Sequence, residues 1–146
     1  MKEIKFSKLN ITDKSSFYIK KILKSGWLTH GRYTDLFEKK FKEFVNCKYV
    51  LTVSSCTAGL HLSFLAAGIK KGDDVIVPSM SHTATSHAVE YTGARVKFAD
   101  VDLSTGNLNI SNIKKVFTKK TKAIAIVHMT GFSCDMKSIS DFCKKN

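Results

Sequence analysis

Apolar residues recur at helical spacing through the first third of the chain and in short β-branched runs after it. Residues 12–25 (TDKSSFYIKKILKS) set Phe17, Ile19, Ile22 and Leu23 behind a candidate cap at Thr12, with Gly26 placed to stop the turn, so the spacing predicts an amphipathic helix. Trp27 to Gly31 reads as a loop. Thr34 to Phe44 then carries Leu36, Phe37, Phe41 and Phe44 on one stripe, which fits a second short helix.

From Tyr49 the period changes. Tyr49–Val53 reads as a strand, Thr57–Ala67 as a helix ended by Gly68, and Asp74–Val77 as a strand stopped by Pro78. A helix from about His82 to Tyr91 precedes a strand at Arg95–Ala99, and a helix at Ser111–Phe117 precedes a strand at Lys122–Val127. Strand and helix in alternation predict parallel strands joined by helical crossovers, an α/β sheet with helices on both faces.

At 146 residues the chain has room for one domain at most, large enough for a real core. With 43% hydrophobic residues and a single proline, collagen-like and fully disordered classes are excluded. The formal charge of +12 comes from 24 Lys+Arg against 12 Asp+Glu. Arg32 and Arg95 are the only arginines, and the lysines are spread along the chain. Solvated lysine-rich faces are therefore expected, not a nucleic-acid partner, which usually needs a concentrated patch and guanidinium forks. Cys47, Cys56, Cys134 and Cys143 show no Cys-x-x-Cys spacing, and the chain opens without an apolar signal segment, so a cytoplasmic location is expected. Apolar runs fall far short of the roughly 20 residues of a membrane span, and no membrane partner is expected.

Chemistry in such sheets gathers in the loops that leave the C-terminal ends of the strands. Ser54-Ser55-Cys56-Thr57-Ala58-Gly59 places small hydroxyl residues before an apolar helix. Free amides at a helix N-terminus with the Ser55 and Thr57 hydroxyls suit a phosphate, although capping by Ser54 or Ser55 alone accounts for the same residues. Neither the P-loop lysine nor the GxGxxG spacing is present. The second loop, Pro78 to Thr85, adds His82, which could stack on a planar ligand, act as acid or base, or cap a helix. His82 and His87 lie about 140° apart on a helix and cannot share a metal as an i, i+4 pair does. His61 reads as a packing residue. His128 follows a strand and belongs to the productive edge. Cys56 at a helix start could have a lowered pKa. Asp100 and Asp102 could bind a metal or form a turn with Ser104-Thr105-Gly106.

Three long motifs, VSSCTAGLHLSFLAAGIKKGDDVIVPS, HTATSHAVEYTGARVKFADVDLSTGNLN and TKAIAIVHMTGFSCDM, follow one another in order. With the upstream GWLTHGRYTDLFEKKFKEF, they resemble the DegT/DnrJ/StrS sugar aminotransferases, pyridoxal-phosphate enzymes of fold type I. The resemblance implies transfer of an amino group from glutamate to a keto group of a nucleotide-linked deoxysugar, by a homodimer. It implies a fold that is the N-terminal part of the fold-type-I large domain, three-layered, mainly parallel and incomplete. Residues 1–31 would form an N-terminal helix and interface loop, and residues 32–146 part of the cofactor-binding domain.

Carried over by position, Ser55, Cys56 and Thr57 would meet the cofactor phosphate, with Ser55-Cys56 where the family commonly has Asn-Gly. His82 would stack on the ring in place of the usual aromatic, with Ser79 and Thr85 lining the same pocket. His128 and Gly131 resemble the segment that brings the chain around the cofactor, and Asp135 would order the next turn. Trp27 to Gly31 resembles a loop near the dimer interface. In the family, the acid that meets the pyridine nitrogen and the lysine that bonds the cofactor come from segments after Asn146. No catalytic residue is therefore assigned here, and the 146 residues alone are expected to be inactive. The resemblance also separates the Tyr49–Val53 strand from the other three by strands that come later in the chain. The alternative function is a non-catalytic fragment or remnant, or a module complemented by another chain.

Overall fold

The computed structural model describes residues 7–146; residues 1–6 of the expected 1–31 segment lie outside the described residues. The chain divides into two compact units, the first ending at Thr52 and the second running from Val53 to Asn146.

The first unit contains α1 (Asp13–Ser25) and α2 (Arg32–Val45). Thr12 caps α1 by accepting a hydrogen bond from the Ser15 N–H, and Gly26 ends it in the left-handed conformation at φ 68°, as the sequence predicts. The amphipathic stripes of both helices form, yet no residue of either helix is buried. Phe44 is 86% exposed and Leu23 61%. Ring contacts are among those it makes: Tyr18 meets Tyr33 edge-on, and Phe37 stacks on Phe41.

The second unit holds α3 (Cys56–Ala66), β1 (Asp74–Pro78), α4 (Ala84–Glu90), β2 (Arg95–Ala99), α5 (Ile110–Val116), β3 (Thr121–Ile124) and α6 (Met136–Lys145). The three strands form a parallel sheet in the order β2-β1-β3. Every residue of β1 is buried, as befits a central parallel strand covered on both faces. The pleat sorts its side chains into two cores. Val75 and Val77 pack with Phe64, Ala88 and Val89 from α3 and α4. Ile76 points the other way, among Ile113 and Ile139 from α5 and α6. This is the expected three-layer arrangement, with one helix pair on each face.

One expected strand is absent. Tyr49–Val53 carries a β-branched pattern but has no strand partner in the described residues. A strand exists by its ladder, and here the backbone finds side chains instead. The Thr52 N–H donates to Glu38 Oε1 at 2.6 Å, and the Thr52 carbonyl lies 3.2 Å from the His30 ring. The last strand is also shorter than its pattern, ending at Ile124. Lys122 is an extra residue between the pairs Asp74–Thr121 and Val75–Ala123, and this bulge sets the register before Ala125 donates to the Ile76 carbonyl.

Candidate functional site

α3 precedes β1 in the chain and packs mainly on α4, and its N-terminus carries the first of the candidate loops. Ser55 is its cap: the hydroxyl accepts from the Ala58 N–H at 3.1 Å, and the carbonyl accepts from Gly59. That leaves the N–H groups of Cys56 and Thr57 without a backbone acceptor among the described residues. The Ser55 hydroxyl still has its own proton to donate, and Thr57 adds a second hydroxyl. Two amides and two hydroxyls at the positive end of a helix make a donor set suited to a phosphate. Cys56 is exposed and lies in ordinary helical backbone, since among the described residues Asn46 and Thr130 are the non-glycine residues with positive φ. Its helical geometry therefore does not require glycine.

The loop after β1 closes on itself. The Ala84 N–H donates to His82 Nδ1 at 3.1 Å, so in its neutral form the ring carries its proton on Nε2. Thr85 is buried, with its hydroxyl 3.0 Å from that of Ser81. Ser79, His82 and Thr85 line one cavity of about 240 Å³, walled by Phe98. His82 thus both caps its loop and faces an opening.

The loops after β1, β2 and β3 converge on Gly106, where a Cβ would come 2.7 Å from Met80 Cε and 3.1 Å from Met129 Cγ. Asp102 organises the β2 loop, accepting from the N–H groups of Ser104 and Thr105 and from the Ser104 hydroxyl. These bonds, the Ser104 hydroxyl foremost, hold its carboxyl below the usual range. The turn reading of Asp102 is the one realised. In the β3 loop, His128 Nδ1 accepts from the Cys134 N–H at 3.1 Å, which again leaves the neutral proton on Nε2. Asp135 caps α6 through the Ser138 N–H and hydroxyl, and the hydroxyl is the main cause of its lowered pKa.

The sequence-derived residues therefore sit in three groups: the α3 start, the β1 loop cavity, and the β3 loop. Ser55, Cys56, Thr57 and His128 are outside the β1 loop cavity. His61 lies against Tyr91 with ring centroids 5.6 Å apart, a packing role. In the first unit, Trp27, Leu28, Thr29 and Gly31 line a separate cavity of about 650 Å³ with Lys21 and Arg32. Its floor is tight, since Gly31 lies so close to the Trp27 ring that a Cβ would reach 2.8 Å.

Sequence reasoning missed Asn107. It is 4% exposed and bonds the β2 loop to the β3 loop with both ends of its amide. An asparagine beside Gly106 reads from sequence as a turn former, and no spacing signal marks its side chain as buried.

Residues 10–146 match the model of the DegT/DnrJ/EryC1/StrS aminotransferase family. The chain is 41% identical over 145 residues to GDP-perosamine synthase of Escherichia coli O157:H7, covering 99% of this chain and 40% of that protein. Among solved structures, an aminotransferase from Psychrobacter cryohalolentis superposes with a TM-score of 0.88 at 33% identity, over 93% of this chain and 35% of that one. The E. coli GDP-4-keto-6-deoxy-D-mannose-3-dehydratase with bound hydrated PLP gives 0.85 at 31%, over 92% of this chain and 36% of that one. The chain thus spans between 35% and 40% of the length of these relatives.

Proposed function

The chain belongs to the DegT/DnrJ/EryC1/StrS aminotransferase family, and on that premise we propose a pyridoxal-phosphate-dependent transfer of an amino group from glutamate to a nucleotide-linked keto deoxysugar. The observation that carries this reading is the start of α3, where two unpaired amides flanked by the Ser55 and Thr57 hydroxyls fit the cofactor phosphate. The similarity to a GDP-perosamine synthase makes GDP-linked keto sugars the first substrates to try.

In this reading Ser55, Cys56 and Thr57 hold the phosphate. His82 would stack on the ring, with Ser79 and Thr85 lining the same pocket, and His128 would offer an Nε2–H donor from the neighbouring loop. When bound, the cofactor supplies the electron sink that amino transfer needs. The protein's own part is to bind and orient it. Residues 32–146 are read as part of the cofactor-binding domain and residues 1–31 as an N-terminal helix and interface loop, with Trp27 to Gly31 the loop near a homodimer interface. A cytoplasmic location is part of this reading and rests on the family; separately, among the described residues no helix is long and apolar enough to cross a membrane.

Equilibrium dialysis of the purified chain against pyridoxal phosphate tests the phosphate site. Saturable binding, weakened in the double variant Ser55→Ala, Thr57→Val, is expected. No saturable binding, or binding unchanged by loss of both hydroxyls, would refute it. Since no residue here is assigned a catalytic role, binding without 2-oxoglutarate formation is the outcome expected of the 146 residues alone.

A further inference from the structure

Asn107 stands on the loop between β2 and α5, but its side chain serves the loop after β3. Its Nδ2 donates to the Phe132 carbonyl at 2.7 Å, and its Oδ1 accepts from the Met129 N–H at 2.9 Å. It is therefore bonded to both ends of a short turn. That turn is unfavourable by itself, because Thr130, a β-branched residue, sits at φ 51°, ψ 23°, followed by Gly131 at φ 86°. Within the same loop the Gly131 N–H donates to the His128 carbonyl, and Cys134 Sγ lies 3.3 Å from the Val127 carbonyl. The imidazole of His128 closes the loop by accepting from the Cys134 N–H at 3.1 Å.

We propose that Asn107 is a positioning residue for His128. By holding Met129 and Phe132 together, it keeps the turn in the form that brings the Cys134 amide onto His128 Nδ1. A nitrogen that accepts a hydrogen bond carries no proton, so the neutral ring is held with Nε2–H as its outward donor. Asn107 suits this task because one buried amide both donates to the Phe132 carbonyl and accepts from the Met129 N–H, tying two backbone groups together at once. A change at Asn107 thus reaches the imidazole without touching it. The inference rests on the cofactor reading only in that His128 is there the group being presented.

The test is made on the purified, isotopically labelled chain without cofactor. In the native protein, a 15N–15N coupling across the hydrogen bond between the Cys134 amide and His128 Nδ1 is expected. In Asn107→Leu that coupling should vanish, and the Cys134 amide should exchange with solvent about tenfold faster, while the Ala125 amide in the sheet stays within about twofold. Asn107→Asp keeps the acceptor for Met129 but loses the donor to Phe132, and should fall between the two. Absence of the coupling in the native protein, or its survival in Asn107→Leu, would overturn the proposal. So would equal acceleration at Ala125 and Cys134, which would make Asn107 a general fold residue, or native behaviour in Asn107→Asp. Because no cofactor is present, failure here leaves the phosphate-site test standing, and the reverse also holds.

Discussion

Removing the Thr118 hydroxyl should cost more stability than removing the arginine that pairs with the same carboxylate. Asp74, at the start of the central strand, is 1% exposed. Its Oδ1 accepts from Arg95 Nε and lies 2.8 Å from Nη2, while Oδ2 accepts from the Thr118 hydroxyl at 2.7 Å. The Arg95 side chain is 56% exposed, so water can replace the guanidinium, and the pair is worth about 1 kcal/mol or less. The Thr118 bond runs to a buried, charged acceptor, where loss costs about 2 kcal/mol. Thr118→Val keeps the shape and removes that donor; Arg95→Met keeps most of the stem.

The Thr118 bond is also the main cause that holds the Asp74 carboxyl below its ordinary 3.8, ahead of Arg95. Because the folded value is the lower one, this contribution is present above pH about 4 and is lost as pH falls through the folded pKa. Thr118→Val should therefore make the acid loss of stability shallower. Urea unfolding at several pH values, followed through the Val75 and Ile76 methyl signals, reads both effects. Fluorescence would not serve, since Trp27 lies in the first unit. A larger loss in Arg95→Met than in Thr118→Val, or an unchanged acid limb in Thr118→Val, would refute the reasoning.

Ser55→Ala should cost about 1 kcal/mol by uncapping α3, read as faster exchange at the Ala58 amide. Thr130→Gly, which relieves a β-branched residue at φ 51°, should raise stability by about 0.5–1 kcal/mol in urea titrations, glycine's extra chain entropy offsetting part of the gain. Gly106→Ala should lower stability by about 1–2 kcal/mol, because φ is +70° and the new Cβ would press on Met80 and Met129. A crystal structure of that variant should show Met80 displaced.

Much of the second unit was readable because each element carries its own local signal. Arg95–Ala99 is a strand in both readings, and Ser55 had the residue type and position of a helix cap. Tyr49–Val53 misled because β-branched composition describes a segment fit for a ladder without supplying the neighbouring strand. The site was readable as a set of loops but not as a geometry. That His82 and His128 each accept a backbone N–H at Nδ1 depends on where Ala84 and Cys134 fall in three dimensions.

The sequence by itself determined the α/β alternation, the family, and the residue types at the strand ends, since all of these are written in local period and motif order. The tertiary structure alone decided which polar groups are spent and which are free. Asn107 shows the difference: its worth comes from two backbone groups 22 and 25 residues away, and a contact over that distance leaves no trace in the spacing of neighbouring residues.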